Sequence, residues 1–119
     1  MFALLVRLHK LKEAGLPVAV IAFDSNDAQE KRFSDLAGYG PREAVQAENI
    51  QEAATRGSYD RVLVLTGNAH ARKSRYGEGA ESFDFMAARL ASHAPVVSLD
   101  TRYATGTAWY CQVKKGLRL

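Results

Sequence analysis

The chain has 119 residues, 47% hydrophobic and 24% charged, a composition of soluble globular proteins that excludes wholesale disorder, collagen-like repeats and a disulfide scaffold. Its length suits one domain, residues 1–119, and no apolar run approaches the roughly 18 residues of a membrane-spanning helix. The net charge is +3, and Cys111 is the single cysteine, so an internal disulfide and an all-cysteine metal site are excluded within one chain.

Leu4, Leu5, Leu8 and Leu11 recur at helical spacing and predict an amphipathic helix over 2–14, ended by Gly15 and Pro17. The continuous apolar run 18–23 predicts a strand buried on both faces, with Asp24 at its carboxyl end. Residues 24–40 read as a long polar loop. Pro41 suits the first turn of a second helix, which runs to Arg56 and stops at Gly57. Residues 61–66 form the clearest predicted strand and end in Gly67-Asn68-Ala69-His70. A basic, glycine-containing loop over 71–80 leads to a third helix over 81–92, with Phe83, Met86, Ala87 and Leu90 on one face. Residues 95–99 are a third strand. Residues 107–113 are a fourth, after a turn at 100–106.

The order α-β-α-β-α-β-β predicts a three-layer α/β fold with a small, mostly parallel sheet and an antiparallel last pair. Loops leaving the carboxyl ends of parallel strands gather along one edge, where ligands bind. Asp24, the turn 67–70 and the start of the second helix are expected there. That helix carries a conflict: Ala47, Ile50, Ala53 and Ala54 share a side with Arg42, Glu43, Gln46 and Asn49, while Ala44, Glu48, Gln51 and Glu52 take the other. Polar groups on an apolar face need partners. A polar pocket would supply them; so would local pairing of Arg42 with Glu43 and a backbone bond from Asn49.

His70, on a turn whose Gly67 permits close approach, is a candidate base or ligand if it meets Arg42, Glu43 or Asp24; otherwise it is a hydrogen-bonded structural residue. His9 and His93 read as surface residues. Cys111, Trp109 and Tyr110 read as strand and core residues. Tyr39 and Tyr76, on glycine-bearing loops, are placed to cover a pocket or to anchor those loops. Residues 1–60 hold 7 basic and 9 acidic side chains, and residues 61–119 hold 9 and 4. The basic excess in Arg72, Lys73 and Arg75 and in Lys114, Lys115 and Arg118 favours an anion or a solvated rim. Without an aromatic-interleaved basic run or a nucleic-acid motif, no nucleic-acid partner is expected. No signal-peptide pattern opens the chain, so the cytoplasm is the default expectation, with export the alternative if a signal segment precedes residue 1.

Arg42-Glu43-Ala44-Val45-Gln46-Ala47-Glu48-Asn49-Ile50, followed by Arg61-Val62-Leu63-Val64-Leu65-Thr66-Gly67-Asn68-Ala69-His70-Ala71, resembles the superfamily of ChaN-like haem-binding lipoproteins, erythromycin esterase-like proteins and Tiki/TraB-type proteases. Phe23-Asp24 and Phe85-Met86-Ala87-Ala88-Arg89-Leu90 also fit, so the likeness covers about residues 3–100. Glu43 stands where the family pattern has Asp, and Gln46 where it has Met. The family's earlier Gly-Glu-x-His type motif is absent, so the chain resembles the carboxyl-terminal half of a longer fold.

The resemblance marks Arg42, Glu43, Asn49, Asn68 and His70 as site residues. Haem or a divalent metal is implied only through it; the residues themselves predict no metal site. Three readings follow. One is a binding module for a small molecule or anion, with Arg42, Glu43 and His70 at its centre and Asp24, Asn49, Asn68, Arg72 and Tyr76 around them. Another is an ester or peptide hydrolase with His70 as base. The third is a non-catalytic dimeric remnant. A homodimer is expected because the missing half would leave sheet edges uncovered.

Overall fold

The computed structural model describes residues 2–100 and Thr105. The expected strand 107–113, with Trp109, Tyr110 and Cys111, lies outside them, as do Lys114, Lys115 and Arg118. The described elements are α1 (Phe2–Glu13), α2 (Asp27–Glu30) running into a 3-10 turn (Lys31–Phe33), α3 (Gly40–Gly57), β1 (Arg75–Tyr76), a 3-10 turn (Gly79–Glu81), β2 (Phe83–Asp84) and α4 (Met86–Ala91).

The expected three-layer α/β fold is overturned. Four helices dominate, and the sheet among the described residues is two-stranded and antiparallel, with Arg75 opposite Asp84 and Tyr76 opposite Phe83. The apolar runs 18–23, 61–66 and 95–99 join no ladder. Their apolar content says that they can be buried, but neither a pairing partner nor a register is written in it. Two of them alternate in burial over part of their length. Val64 and Thr66 are half-buried while Leu63 and Leu65 stand out, and Val96 and Ser98 are half-buried while Val97 and Leu99 stand out. This two-residue alternation belongs to extended chain lying on helices. Burial of 18–23 on both faces is likewise overturned, since Val20 and Ile21 are exposed.

The core forms where α3 meets α4. Ala47, Ile50 and Met86 make its centre, and Phe23, Val64 and Leu90 pack against it. Phe83 stacks on Tyr76 at 5.0 Å between ring centroids and meets Phe85 edge-on at 5.5 Å. The expected helix over 81–92 is therefore shorter. Phe83 and Phe85, two residues apart, are both buried in extended chain, and the helix begins only at Met86.

Pro41 sits in the first turn of α3, where its missing N–H is no loss. At Gly40 a Cβ would lie 2.9 Å from Cβ of Leu36 and 3.1 Å from Cβ of Phe83, so glycine permits this approach. The first turns of α3 are buried more widely than a one-sided helix predicts. Ala44 and Val45 are as buried as Ala47, because α2 and the turn after it pack on one flank and β2 with α4 on another. Residues 24–40, expected as loop, contain a capping box. Asn26 Oδ1 accepts from the Gln29 amide at 3.0 Å, and Gln29 Oε1 accepts from the Asn26 amide at 3.2 Å.

The carboxyl end of α3 is strained. Ser58, not glycine, takes the left-handed conformation there, at φ 49°, which penalises a residue with a Cβ. Ser58→Gly is expected to raise stability by about 1 kcal/mol, read as a higher denaturant midpoint with an unchanged slope.

Candidate functional site: a buried carboxylate and the imidazole it holds

Position 43 comes two residues after Pro41, in the first turns of α3, facing the core. Glu43 is only 1% exposed. Burying a carboxylate is costly unless both oxygens are bonded, and both are. Oε2 accepts the Met86 amide at 2.6 Å, and Oε1 lies 2.6 Å from Nδ1 of His70. The first bond completes α4. Phe85, at the N-cap of that helix, has no capping side chain, so its first amide needs an acceptor from elsewhere. The next amide, from Ala87, donates to the His70 carbonyl at 3.0 Å. Glu43 and His70 together thus serve the start of α4.

A carboxylate only accepts, so Nδ1 of His70 carries a proton, and Nε2 bears the lone pair of the neutral ring or the second proton of the imidazolium. The His70 side chain is 25% exposed, and no described residue bonds to Nε2. The result is an imidazole oriented by Glu43, with Nε2 unbonded among the described residues. Arg72 is in the same turn, its amide bonded to the Ala69 carbonyl at 3.2 Å. Its guanidinium lies 5.9 Å from the centre of the Phe85 ring, and it has no carboxylate partner among the described residues. Asn68, two residues before His70, is itself engaged.

A second cluster forms on the neighbouring flank of α3. Asp24 takes two bonds from Arg42, at 3.2 and 2.9 Å, and a third from Nε2 of Gln46 at 2.7 Å. Asn49 donates to the carbonyls of Phe23 and Asp24 at 3.0 and 3.3 Å and accepts from Gln29 at 3.2 Å. These bonds pin the end of segment 18–24 to α3. Asn49 is therefore a clamp on backbone, the structural alternative considered for it. Arg42 and Glu43 do not pair with each other; each reaches to a different segment. A hollow of about 280 Å³ is lined by Asp24, Ser25, Glu30, Gly38, Tyr39 and Arg42. Neither Glu43 nor His70 lines it. The structure thus brings Glu43 to His70, and Arg42 to Asp24, as two clusters on one helix. Tyr76 lies apart from both, half exposed against Phe83 and Phe85. Gln29, and the Met86 and Ala87 amides, were not foreseen; the Asn26-x-x-Gln29 spacing could have disclosed the first.

Gln46 has an unusual balance. Its amide nitrogen must face the Asp24 carboxylate, so its oxygen is fixed on the other side, where it is buried and meets no donor among the described residues. An orphaned acceptor costs about 1–3 kcal/mol. Gln46 and then Arg42 hold the Asp24 carboxyl below its ordinary 3.8, at about 2.

No group of three or more His, Cys, Asp or Glu side chains among the described residues is disposed to hold a metal ion. Both Glu43 oxygens are already committed, so Glu43 and His70 do not fit a resident divalent metal. No described helix is long and apolar enough to cross a membrane. No protein-family model matches the chain, and neither curated proteins nor solved structures offer a significant match.

Two tests probe these clusters. Glu43→Ala strands the Met86 amide and frees the imidazole, and is expected to cost about 2–4 kcal/mol in denaturant unfolding, with Glu43→Gln intermediate. For Asp24 the folded pKa is depressed, so its contribution is complete above 3.8 and fades as pH falls through about 2. Its side chain is more than half exposed, and solvent screening limits that contribution to about 1 kcal/mol. Gln46→Met should leave stability near neutral pH almost unchanged and move the Asp24 midpoint up toward 3.8, measured by carboxyl-carbon NMR titration.

Proposed function

We propose that the protein is a binding module for a small molecule bearing a carboxylate or phosphate group, taken by Arg72 and by the Nε2–H of His70 in its imidazolium form. The observation that carries this reading is the nearly complete burial of Glu43 with one oxygen on His70. An internal carboxylate is spent on holding a quarter-exposed imidazole whose other nitrogen has no bond among the described residues.

The anion is assigned by charge. Arg42 is already neutralised by Asp24, to which it donates two bonds. Its hollow also holds Glu30, so two carboxylates against one guanidinium disfavour an anion there. Arg72 has no such partner among the described residues. It is held over Phe85, next to Met86, whose amide shares Glu43 with His70. Two cationic or donor groups thus converge on the start of α4. The motif resemblance to ChaN-like and esterase-like proteins belongs to this proposal, without the sheet that it implied.

A second reading is favoured by the same pair. A carboxylate-oriented imidazole is the arrangement of a general base. No described hydroxyl or thiol bonds to Nε2 of His70, so hydrolysis on this reading uses His70 to activate water against an ester or peptide bond.

Amide-detected NMR titration with inorganic phosphate and with acetate separates the readings. Binding predicts saturable shifts at His70, Arg72, Met86 and Ala87, weakened roughly tenfold or more by Arg72→Ala, since a charge-assisted bond contributes about 1.5–3 kcal/mol. Shifts confined to Asp24 and Arg42, or none at tens of millimolar, would sink it. Turnover of an activated ester that His70→Ala abolishes would establish the second reading.

A further inference from the structure

The proposed anion site leaves the extended apolar chain unused. Leu63 is 95% exposed, Val97 86% and Leu99 81%, with Val20, Ile21, Val62 and Leu65 also in solvent. Val64, Val96 and Ser98 are half-buried between exposed neighbours, so residues 63–65 and 97–99 turn large apolar side chains to solvent, the kind of surface that marks an interaction site where it is contiguous.

The main chain of these segments narrows the occupant. Among the described residues, the backbone bonds they make are few: the Val18 amide to Leu16, a lysine on the Val96 carbonyl, and Asn49 on Phe23 and Asp24. Residues 61–66 make none. A cover must therefore supply apolar side chains together with main-chain donors and acceptors. A lipid surface or a small apolar ligand brings the first and lacks the second. Another polypeptide with an equally open extended run brings both, and this chain is such a polypeptide. The exposed apolar side chains of 20–21, 62–65 and 97–99 amount to on the order of 800 Å², the share each partner contributes to a standard-size interface.

We infer that this face is an interface between two copies of the chain, related by a two-fold axis, with Leu63, Leu65, Val97 and Leu99 of each copy covered by its mate and the main chain of 61–66 open to pair across the axis. Two-fold contacts are self-complementary, so one open run of backbone satisfies itself when its copy lies antiparallel to it.

Light scattering on the full-length chain during size exclusion, at tens of micromolar, reads the outcome. A mass near twice 13.1 kDa is expected. Leu63→Lys and Val97→Lys alter side chains already in solvent, so each should keep the helical circular dichroism. Each should also weaken the dimer roughly a hundredfold, because an ammonium would be buried unpaired. In a Cys111→Ser background, Leu63→Cys should form an intermolecular disulfide under mild oxidation, which decides the matter should a lysine variant lose structure. A wild-type monomer, an open-ended series of larger species, or a dimer indifferent to both lysines and without that crosslink would overturn the inference.

Discussion

A buried carboxylate that joins three segments is the constraint on which the rest depends. Glu43 reaches from α3 to the turn at His70 and to the first amide of α4. Each contact answers a need that the local sequence leaves open. A six-residue helix cannot sustain itself by propensity, and Phe85 offers its amides no acceptor. The carboxylate cannot be buried unless its oxygens are bonded. The imidazole would be free to turn without a fixed acceptor on Nδ1. One side chain meets all three needs, so the orientation of His70 and the position of α4 are aspects of a single packing event.

The Asp24 cluster obeys different physics. Its carboxylate is largely in solvent, and its low pKa comes from donors on α3, Gln46 first and Arg42 second. Water could replace most of what those donors supply, so the cluster contributes geometry more than energy. With Asn49 it fixes where the segment from Val18 leaves α3, and that fixes Phe23 on the core. Gln46 shows the cost of this choice. To donate to Asp24 it must bury an acceptor without a partner among the described residues.

Local rules were legible in the sequence, and pairing was not. Gly15 and Pro17 end α1 as expected, and Pro41 and Gly57 bracket α3. The polar residues on the apolar side of α3 were read as needing partners; Glu43 and Asn49 found them, and Gln46 found one for its amide nitrogen alone. The meeting of Glu43 with His70 was anticipated from the edge of a parallel sheet that the structure does not contain. The neighbours were identified through a demand for satisfied polar groups, which survives a change of topology, while the sheet rested on apolar run length, which states burial without naming what covers it. The capping box at Asn26 and Gln29 was overlooked because a polar stretch between elements reads as loop. The helix expected from residue 81 gave way to extended chain, since Phe83 and Phe85 fill the aromatic cluster at a spacing of two.

The two surfaces proposed for this chain are anchored in different places. The proposed anion site hangs on α3 and α4 through Glu43, with Arg72 lying over Phe85, and none of these contacts passes through Leu63, Leu65, Val97 or Leu99. Among the described residues, Phe23 and Val64 are the side chains by which the extended segments pack on the core. In the proposed dimer those two side chains would be the route by which pairing of copies biases the site. Pairing that pressed the segments onto α3 would tighten the packing of Ile50 and Met86, and Met86 carries the amide that holds Glu43. Coupling through a packed aliphatic contact of this kind transmits position rather than charge. It can sharpen how firmly the imidazole is held, but it leaves unchanged which anion the guanidinium of Arg72 accepts.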